Sequence, residues 1–429
     1  MEDYKLQTYL LMQNDFESRL ASRSGGAFAA LSDVVLKNNG VVYGCVLTDN
    51  FEVKHVRATT IEERDKMRGS KYVQSHLNDI FHQVKEDLKN GLQVLFSGTS
   101  CQCAGLKSYL GENFFTLNLI ICDILCHGVP SERIFNSFLE YIEKTRGKKI
   151  TAVDFRNKFK FGWIPHKESV TYNDGTDEDL YVFGNFFYTE SVQRNSCRSC
   201  PYHSINNRPS DITLADAWGA MKENPELIDD NGISLILCNT KKGLELFKQV
   251  EDCFTKQIEM TDAYLEGPMS RNYDAPYYED KLWKIFNTKG FESAYKFIKK
   301  ESIKFRIKNK IRRILKLNVK EVKPRKKVNT KEDFYYQQYE NIDKKDSKVV
   351  LPKIYSNKYE CMGCTACYNK CLDIKQAITM KQDSKGFYYP VVDASKCVGC
   401  HSCENVCPYH KNFQNLNDSP EKSGGGDKS

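Results

Sequence analysis

Apolar and polar residues switch between two periods along the first 250 residues of the chain. Ala27 to Leu36 repeats apolar residues at helical spacing and ends at Lys37-Asn38-Asn39-Gly40, a helix-stop signal. Val41 to Leu47 reads as a strand, and Thr48-Asp49-Asn50 turns the chain into a second strand from Val53 to Val56. Leu77 to Leu88 predicts an amphipathic helix and Gln93 to Phe96 a short buried strand. Ser97-Gly98-Thr99-Ser100 then turns into a helix running through Leu110. A strand around Leu117 to Leu125, a helix over Ile134 to Thr145 and a strand over Thr151 to Phe155 complete the alternation, with hairpin content after residue 167. Such alternation predicts an α/β domain.

Composition narrows the class. At 40% hydrophobic and 28% charged residues, a 429-residue chain is globular and long enough for two or three domains. The longest apolar run, Phe114 to Val129, is broken by Asn118, Asp123 and His127, so no spanning helix is expected. Met1-Glu2-Asp3-Tyr4-Lys5 puts acids where a signal peptide needs bare positive charge, which predicts a cytoplasmic protein. There, 17 cysteines call for a metal to hold many of them.

Eight of those cysteines fall in two runs, Cys361-x2-Cys364-x2-Cys367-x3-Cys371 and Cys397-x2-Cys400-x2-Cys403-x3-Cys407-Pro408. The spacing is that of bacterial two-cluster ferredoxins, where the fourth cysteine of each run ligates the other cluster. It predicts one 4Fe–4S cluster on Cys361, Cys364, Cys367 and Cys407, and a second on Cys397, Cys400, Cys403 and Cys371. Zinc sites of similar spacing take pairs of ligands rather than two quartets. Leu372 stands where a proline follows the fourth cysteine of the other run.

Three further segments carry cysteines beside predicted element ends. Cys197-Arg198-Ser199-Cys200 lies in a polar loop, Cys101 follows Ser97-Gly98-Thr99-Ser100 at a helix start, and Cys126 opens Cys126-His127-Gly128-Val129-Pro130. Spacing alone leaves open a four-thiolate site or buried structural cysteines. These segments occur in order with Ser22-Arg23-Ser24-Gly25-Gly26, Arg68-Gly69-Ser70-Lys71-Tyr72-Val73-Gln74-Ser75 and Asp211-Ile212-Thr213-Leu214-Ala215-Asp216-Ala217-Trp218-Gly219. Over roughly residues 1 to 300 the chain resembles the coenzyme F420 hydrogenase/dehydrogenase beta-subunit family, which includes the plant 7-hydroxymethyl chlorophyll a reductase. The resemblance implies an α/β flavin-binding domain with FAD and one internal 4Fe–4S cluster, whose ligands are then Cys101, Cys126, Cys197 and Cys200. Two departures stand out. The ferredoxin segment follows the flavin domain instead of preceding it, and Cys103 sits beside Cys101 as a rival ligand, with Ser100 in place of the usual proline.

For the flavin that the resemblance implies, Ser22, Ser24, Gly25 and Gly26 precede a helix start, where glycines can admit a phosphate and N–H groups face it; the residues alone also read as an ordinary N-cap and turn. Arg68, Ser70, Lys71, Tyr72, Gln74 and Ser75 add donors of several kinds within eight residues. Flavin exchanges a hydride with a substrate and single electrons with clusters. No catalytic proton donor stands out, and His127 reads as a neighbour of a ligand.

From Lys296 to Lys327 there are 15 Lys/Arg against Glu301 and Glu321, a local +13 in a chain of net +7, so the remainder is net −6. Ile303, Ile307, Ile311, Ile314 and Leu315 recur there at helical spacing among basic residues. The alternatives are isoleucines packed on the main domain, or a basic face for an anionic membrane or an acidic partner over 296–327. No motif supports nucleic-acid binding.

The sequence thus predicts an FAD and 4Fe–4S domain over 1–290, a basic helix and linker over 291–352, a small α+β bacterial-ferredoxin-like domain over 353–412 and a tail over 413–429. It reads as an iron–sulfur flavoprotein oxidoreductase that passes electrons between clusters, FAD and a hydride-accepting substrate or coenzyme. Its partner is a redox protein or a small-molecule electron donor or acceptor. The rival reading is a non-catalytic electron-transfer subunit. The resemblance does not make F420 the hydride carrier.

Overall fold

A computed structural model describes residues 4–111, 118–264, 275–314, 338–345 and 348–411. In chain order the strands of its first part are β1 (Gln7–Gln13), β2 (Val41–Leu47), β3 (Val53–Ala58), β4 (Val94–Thr99) and β5 (Leu119–Ile124). They are followed by β6 (Ile150–Asp154), β7 (Glu168–Tyr172), β8 (Asp177–Leu180), β9 (Ile212–Asp216), β10 (Ser234–Cys238) and β11 (Cys253–Ile258). Eight of these form one sheet in the order β11-β1-β10-β9-β5-β4-β2-β3. The run β9-β5-β4-β2 is parallel, while β3 and the β10-β1-β11 side are antiparallel. Helices cover both faces, so β4 and β5 are buried front and back, and their leading residues Val94 to Phe96 and Leu119 to Cys122 are uniformly apolar.

Several expected elements hold with shifted ends. The helix Ala27–Lys37 is followed by Asn39, at φ 56°, so the left-handed residue that closes it is Asn39 and not Gly40. The helix expected from Leu77 starts only at Ile80, because Asn78 takes φ 44°. The strand expected over Thr151 to Phe155 is β6, but it does not extend the large sheet. It joins β7 and β8 in a separate antiparallel sheet. This sheet has its own core, where Phe135 and Phe138 of the helix Glu132–Arg146 meet Phe155, Val170 and Phe183.

The helix Glu279–Ile314 is interrupted at Gly290, at φ 78°. Beyond the break Phe291, Ala294 and Ile298 bury themselves in that same core. The packing of isoleucines on the main domain ends there: Ile303 and Ile307 are 49% and 54% exposed. The basic run past residue 314 lies outside the described residues, as does the tail from 412. No helix among the described residues is long and apolar enough to cross a membrane.

The last part is small. β12 (Tyr339–Glu340), β13 (Ile378–Gln382) and β14 (Tyr388–Asp393) form a sheet flanked by the short helices Ala366–Leu372 and Ser402–Asn405. Its core includes Ile354, Tyr355, Phe387 and Tyr389 together with Cys367 and Cys403.

Candidate metal centres and the junction between them

In the small domain the two cysteine runs interleave around two cavities. Cys361, Cys364 and Cys367 line the first with Cys407, and Cys397, Cys400 and Cys403 line the second with Cys371. The loops turn through Gly363, Thr365, Gly399 and His401, all at positive φ, which is how three cysteines in seven residues can face one point. Backbone N–H groups approach the sulfurs: those of Ala366 to Cys364, Ala377 to Cys371 at 3.2 Å, and Tyr409 and His410 to Cys407. Burial raises the thiols of Cys364, Cys367 and Cys371, and those of Cys403 to about 12 and Cys407 to about 11, and neighbouring cysteines add to the rise. Gathered thiolates in a buried space need a polycation among them. Four sulfurs with N–H donors around a cavity fit a cube with one iron per ligand.

Four more cysteines gather in the first part. Cys101 follows β4 and Cys126 follows β5, adjacent parallel strands, so both stand at the same edge of the sheet. The 3-10 turn Asn195–Ser199 brings Cys197, with Cys200 just beyond it, to that edge. Burial raises all four thiols; Cys101 and Cys197 press on Cys126 and on Cys200, and Cys101 presses on Cys197. Here too N–H groups reach the sulfurs, from Gly128 to Cys126 at 3.4 Å, from Val129 to Cys197 and from Tyr202 to Cys200. Cys103 points elsewhere. It is fully buried in the core between β5 and the helix Ser100–Leu110, with its thiol toward the Cys122 carbonyl at 3.7 Å. Among the described residues no three His, Cys, Asp or Glu side chains converge closely enough for a single ion.

The two parts are seated on each other at these sites. Gly105, one turn beyond Cys101, lies so close to Cys364 that a Cβ there would be 2.9 Å from its Cβ and 3.0 Å from its sulfur. Cys101 and Cys200 pack with Met362, Ala104, Tyr202 and Tyr409. Arg194, three residues before Cys197, is fully buried and donates to the Cys361 carbonyl at 2.8 Å and the Tyr388 carbonyl at 2.9 Å. Its Nη2 stands 3.5 Å from the Cys361 sulfur. At the side, Asp373 accepts from Lys85, His82 and Tyr109 at 2.7, 2.8 and 2.9 Å. These contacts hold the ferredoxin-like part against the Cys101 helix and the Cys197 turn.

The residues expected to hold a flavin are mostly engaged by protein. Ser22 donates to the Ser18 carbonyl and Ser24 to that of Ile233. A Cβ on Gly25 would lie 2.0 Å from the Leu11 carbonyl oxygen and 2.6 Å from the Ser234 nitrogen, and one on Gly26 would meet Gln13. The close approach these glycines permit is to β1 and β10. Arg68 reaches Asp65, and Lys71 caps the carbonyls of Met67 and Arg68. Ser70 is partly buried. Gln74 donates to Met362 and accepts from Arg194, so it belongs to the junction. Ser75 bonds His55 and receives Gln102 from the Cys101 helix.

Tyr72 is the exception. It lies among Phe155, His166 and Phe187 and reaches the guanidinium of Arg23. Beside it stand Arg156, Trp163 and Trp218, the indoles stacked with centroids 4.4 Å apart. Arg23 sits inside a motif legible in the sequence yet is not singled out there, and neither are Arg156, His166 and Arg194. Only Arg23 had a local signal.

Two family models match the chain. Residues 91–263 match the C-terminal family of the coenzyme F420 hydrogenase/dehydrogenase beta subunit, and residues 360–411 match the 4Fe–4S dicluster domain. A search of the curated proteins found no match. Among solved structures, a chain of the xenon-derivatised F420-reducing [NiFe] hydrogenase complex from Methanosarcina barkeri matches at 20% identity and a TM-score of 0.41. That match covers 68% of this chain and 91% of the other.

Proposed function

We propose, for a chain whose residues 91–263 belong to the F420 hydrogenase/dehydrogenase beta-subunit family and whose residues 360–411 are a 4Fe–4S dicluster domain, that it is a three-cluster oxidoreductase linking one-electron carriers to a flavin. Cys361, Cys364, Cys367 and Cys407 hold one cluster and Cys371, Cys397, Cys400 and Cys403 the second. Cys101, Cys126, Cys197 and Cys200 hold the third. The observation that carries this reading is the junction: Arg194 links the Cys197 turn to Cys361, and Gly105 lets the Cys101 helix touch Cys364. Two metal sites pressed together through buried residues suit electron transfer, and a merely structural cluster has no need of that contact.

FAD, when bound, supplies hydride exchange with a substrate and single-electron exchange with clusters. The face between Tyr72, Arg23, Arg156 and Trp218 fits such a group, because it offers aromatic surfaces beside buried guanidiniums in which Arg23 Nε and Nη1 and Arg156 Nε lack a hydrogen-bond partner. This chain's own residues there bind and orient. Trp163 holds Trp218 flat, and the Trp163 carbonyl takes one N–H from each arginine. The rival reading is an electron-transfer subunit without its own substrate, acting in a complex with partner proteins. Flavin measured in anaerobically purified protein separates the two. Stoichiometric flavin supports an enzyme, and iron–sulfur signals without flavin support the rival.

A further inference from the structure

Under Trp163 the loop before the helix Ala27–Lys37 meets the loop after β6, and two guanidiniums come together. Arg23 and Arg156 each donate from Nη2 to the Trp163 carbonyl, at 3.2 and 3.1 Å. The carboxylate in ion-pair range is Asp216, whose Oδ2 is 3.8 Å from one and 3.6 Å from the other. Both distances are too long for a hydrogen bond, and Asp216 Oδ1 already takes the Trp163 indole N–H at 3.1 Å. The arginine side chains are only 12% and 8% exposed. Even so, Arg23 Nε and Nη1, Arg156 Nε and His166 Nδ1 are buried without a protein partner among the described residues.

Buried guanidinium donors seldom go unpaired, since each has given up water for nothing. Three such donors in one neighbourhood, on Arg23 and Arg156 with His166 Nδ1 beside them, mark an absent acceptor. The remaining charges do not supply it. Asp154 bears on Arg23 only at a distance, and its Oδ1 accepts the Arg156 backbone N–H. Lys158 spends its ammonium on the carbonyls of Arg19, Ser24 and Asn231. The field is positive enough that, after burial itself, Arg156 and Arg23 are what hold His166 neutral. The Arg156 plane is also fixed, 5.4 Å over the Trp218 ring, so its donors are preorganised.

We propose that Arg23, Arg156 and His166 form a phosphate-binding site, with the half-exposed Tyr188 against His166 at its edge. Two fixed guanidiniums match the several oxygens of a diphosphate better than they match the two oxygens of one carboxylate. His127 bears on His166, so the site adjoins the Cys126-His127 turn and lies next to the internal cysteine set. That the phosphate is the diphosphate of FAD rests on the proposed function; the phosphate site itself does not.

The test uses full-length, anaerobically purified protein, before and after flavin removal. Inorganic pyrophosphate should bind the stripped protein, and Arg156→Gln should weaken that binding about tenfold or more. Because the variant could misfold, phenylglyoxal labelling of the wild type, read by mass spectrometry, provides a second measurement. Pyrophosphate should protect Arg23 and Arg156 from it. If Arg156→Gln also abolishes the preference for FAD over riboflavin, the phosphate is the flavin's. If that preference survives while pyrophosphate binding falls, the site takes a phosphorylated substrate. Pyrophosphate that neither binds the wild type nor protects the arginines, with FAD held no tighter than riboflavin, overturns the site. Flavin that stays bound through other contacts leaves the proposed function standing.

Discussion

Arg194 donates from Nε to the carbonyl oxygen of Cys361 at 2.8 Å, across 167 residues of sequence, while its own turn carries Cys197 three residues on. One buried guanidinium thus hydrogen-bonds beside the first ferredoxin site while its charge favours the Cys101 and Cys197 thiolates. Tyr389 closes the contact, its ring 4.3 Å from the guanidinium carbon.

Replacing Arg194 with Met should separate these sites in two measurable ways. The Cys361 and Tyr388 carbonyls lose a charged donor inside the junction, a loss of about 3 kcal/mol of stability that a thermal melt would detect. Losing a cation beside the Cys361 sulfur should also make reduction harder. One ferredoxin signal in an EPR-monitored redox titration should shift to lower potential, by on the order of tens of millivolts, while the other stays in place. Equal shifts of both signals would contradict the contact.

Gly105 offers a steric test of the seating. Any side chain there must displace Cys364, whose Cβ and sulfur lie 2.9 and 3.0 Å from the added Cβ. Gly105→Leu should leave all iron in place, cost about 1–3 kcal/mol through overpacking, and slow electron transfer between the two parts. Stopped-flow reduction after mixing with a one-electron donor measures it. Unchanged rates would mean that the two parts exchange electrons without this contact.

Gly25→Val is expected to fail as a probe of flavin. Its Cβ would fall 2.0 Å from the Leu11 carbonyl oxygen, so the damage falls on the pairing between β1 and β10. The variant should lose folded protein, iron and flavin together, as circular dichroism and iron assay would report. Loss of flavin alone from a folded variant would restore the phosphate role for this glycine.

How far the sequence could be read follows from how local each signal is. Cysteine runs with three ligands in seven residues reveal themselves, and so does the interleaving of Cys371 and Cys407, because it follows from ferredoxin spacing. Strands such as β4, buried on both faces, were legible as apolar runs. The glycines before Ala27 signalled a close approach but not what approaches, and β1 with β10 proved to be the answer. Arg194, Arg156 and His166 carried no signal, since their partners are backbone carbonyls, an indole or aromatic rings, each set only by the tertiary fold. Cys103 differed from Cys101 only in which side of one helix it occupies, two residues apart and therefore facing opposite ways.

That pair of cysteines gives the most direct measurement of the central claim, that a third cluster in the first part adjoins the ferredoxin clusters. Iron and sulfide should be assayed on anaerobically purified wild type, Cys101→Ala and Cys103→Ala. The wild type should carry about 12 of each per chain, as three cubes of four. Cys103→Ala should keep that number and lose only about 1 kcal/mol of core packing. Cys101→Ala should fall to about 8, with both ferredoxin signals still reducible by dithionite. A wild type holding about 8 iron, or a Cys101→Ala variant that still holds about 12, would contradict the account.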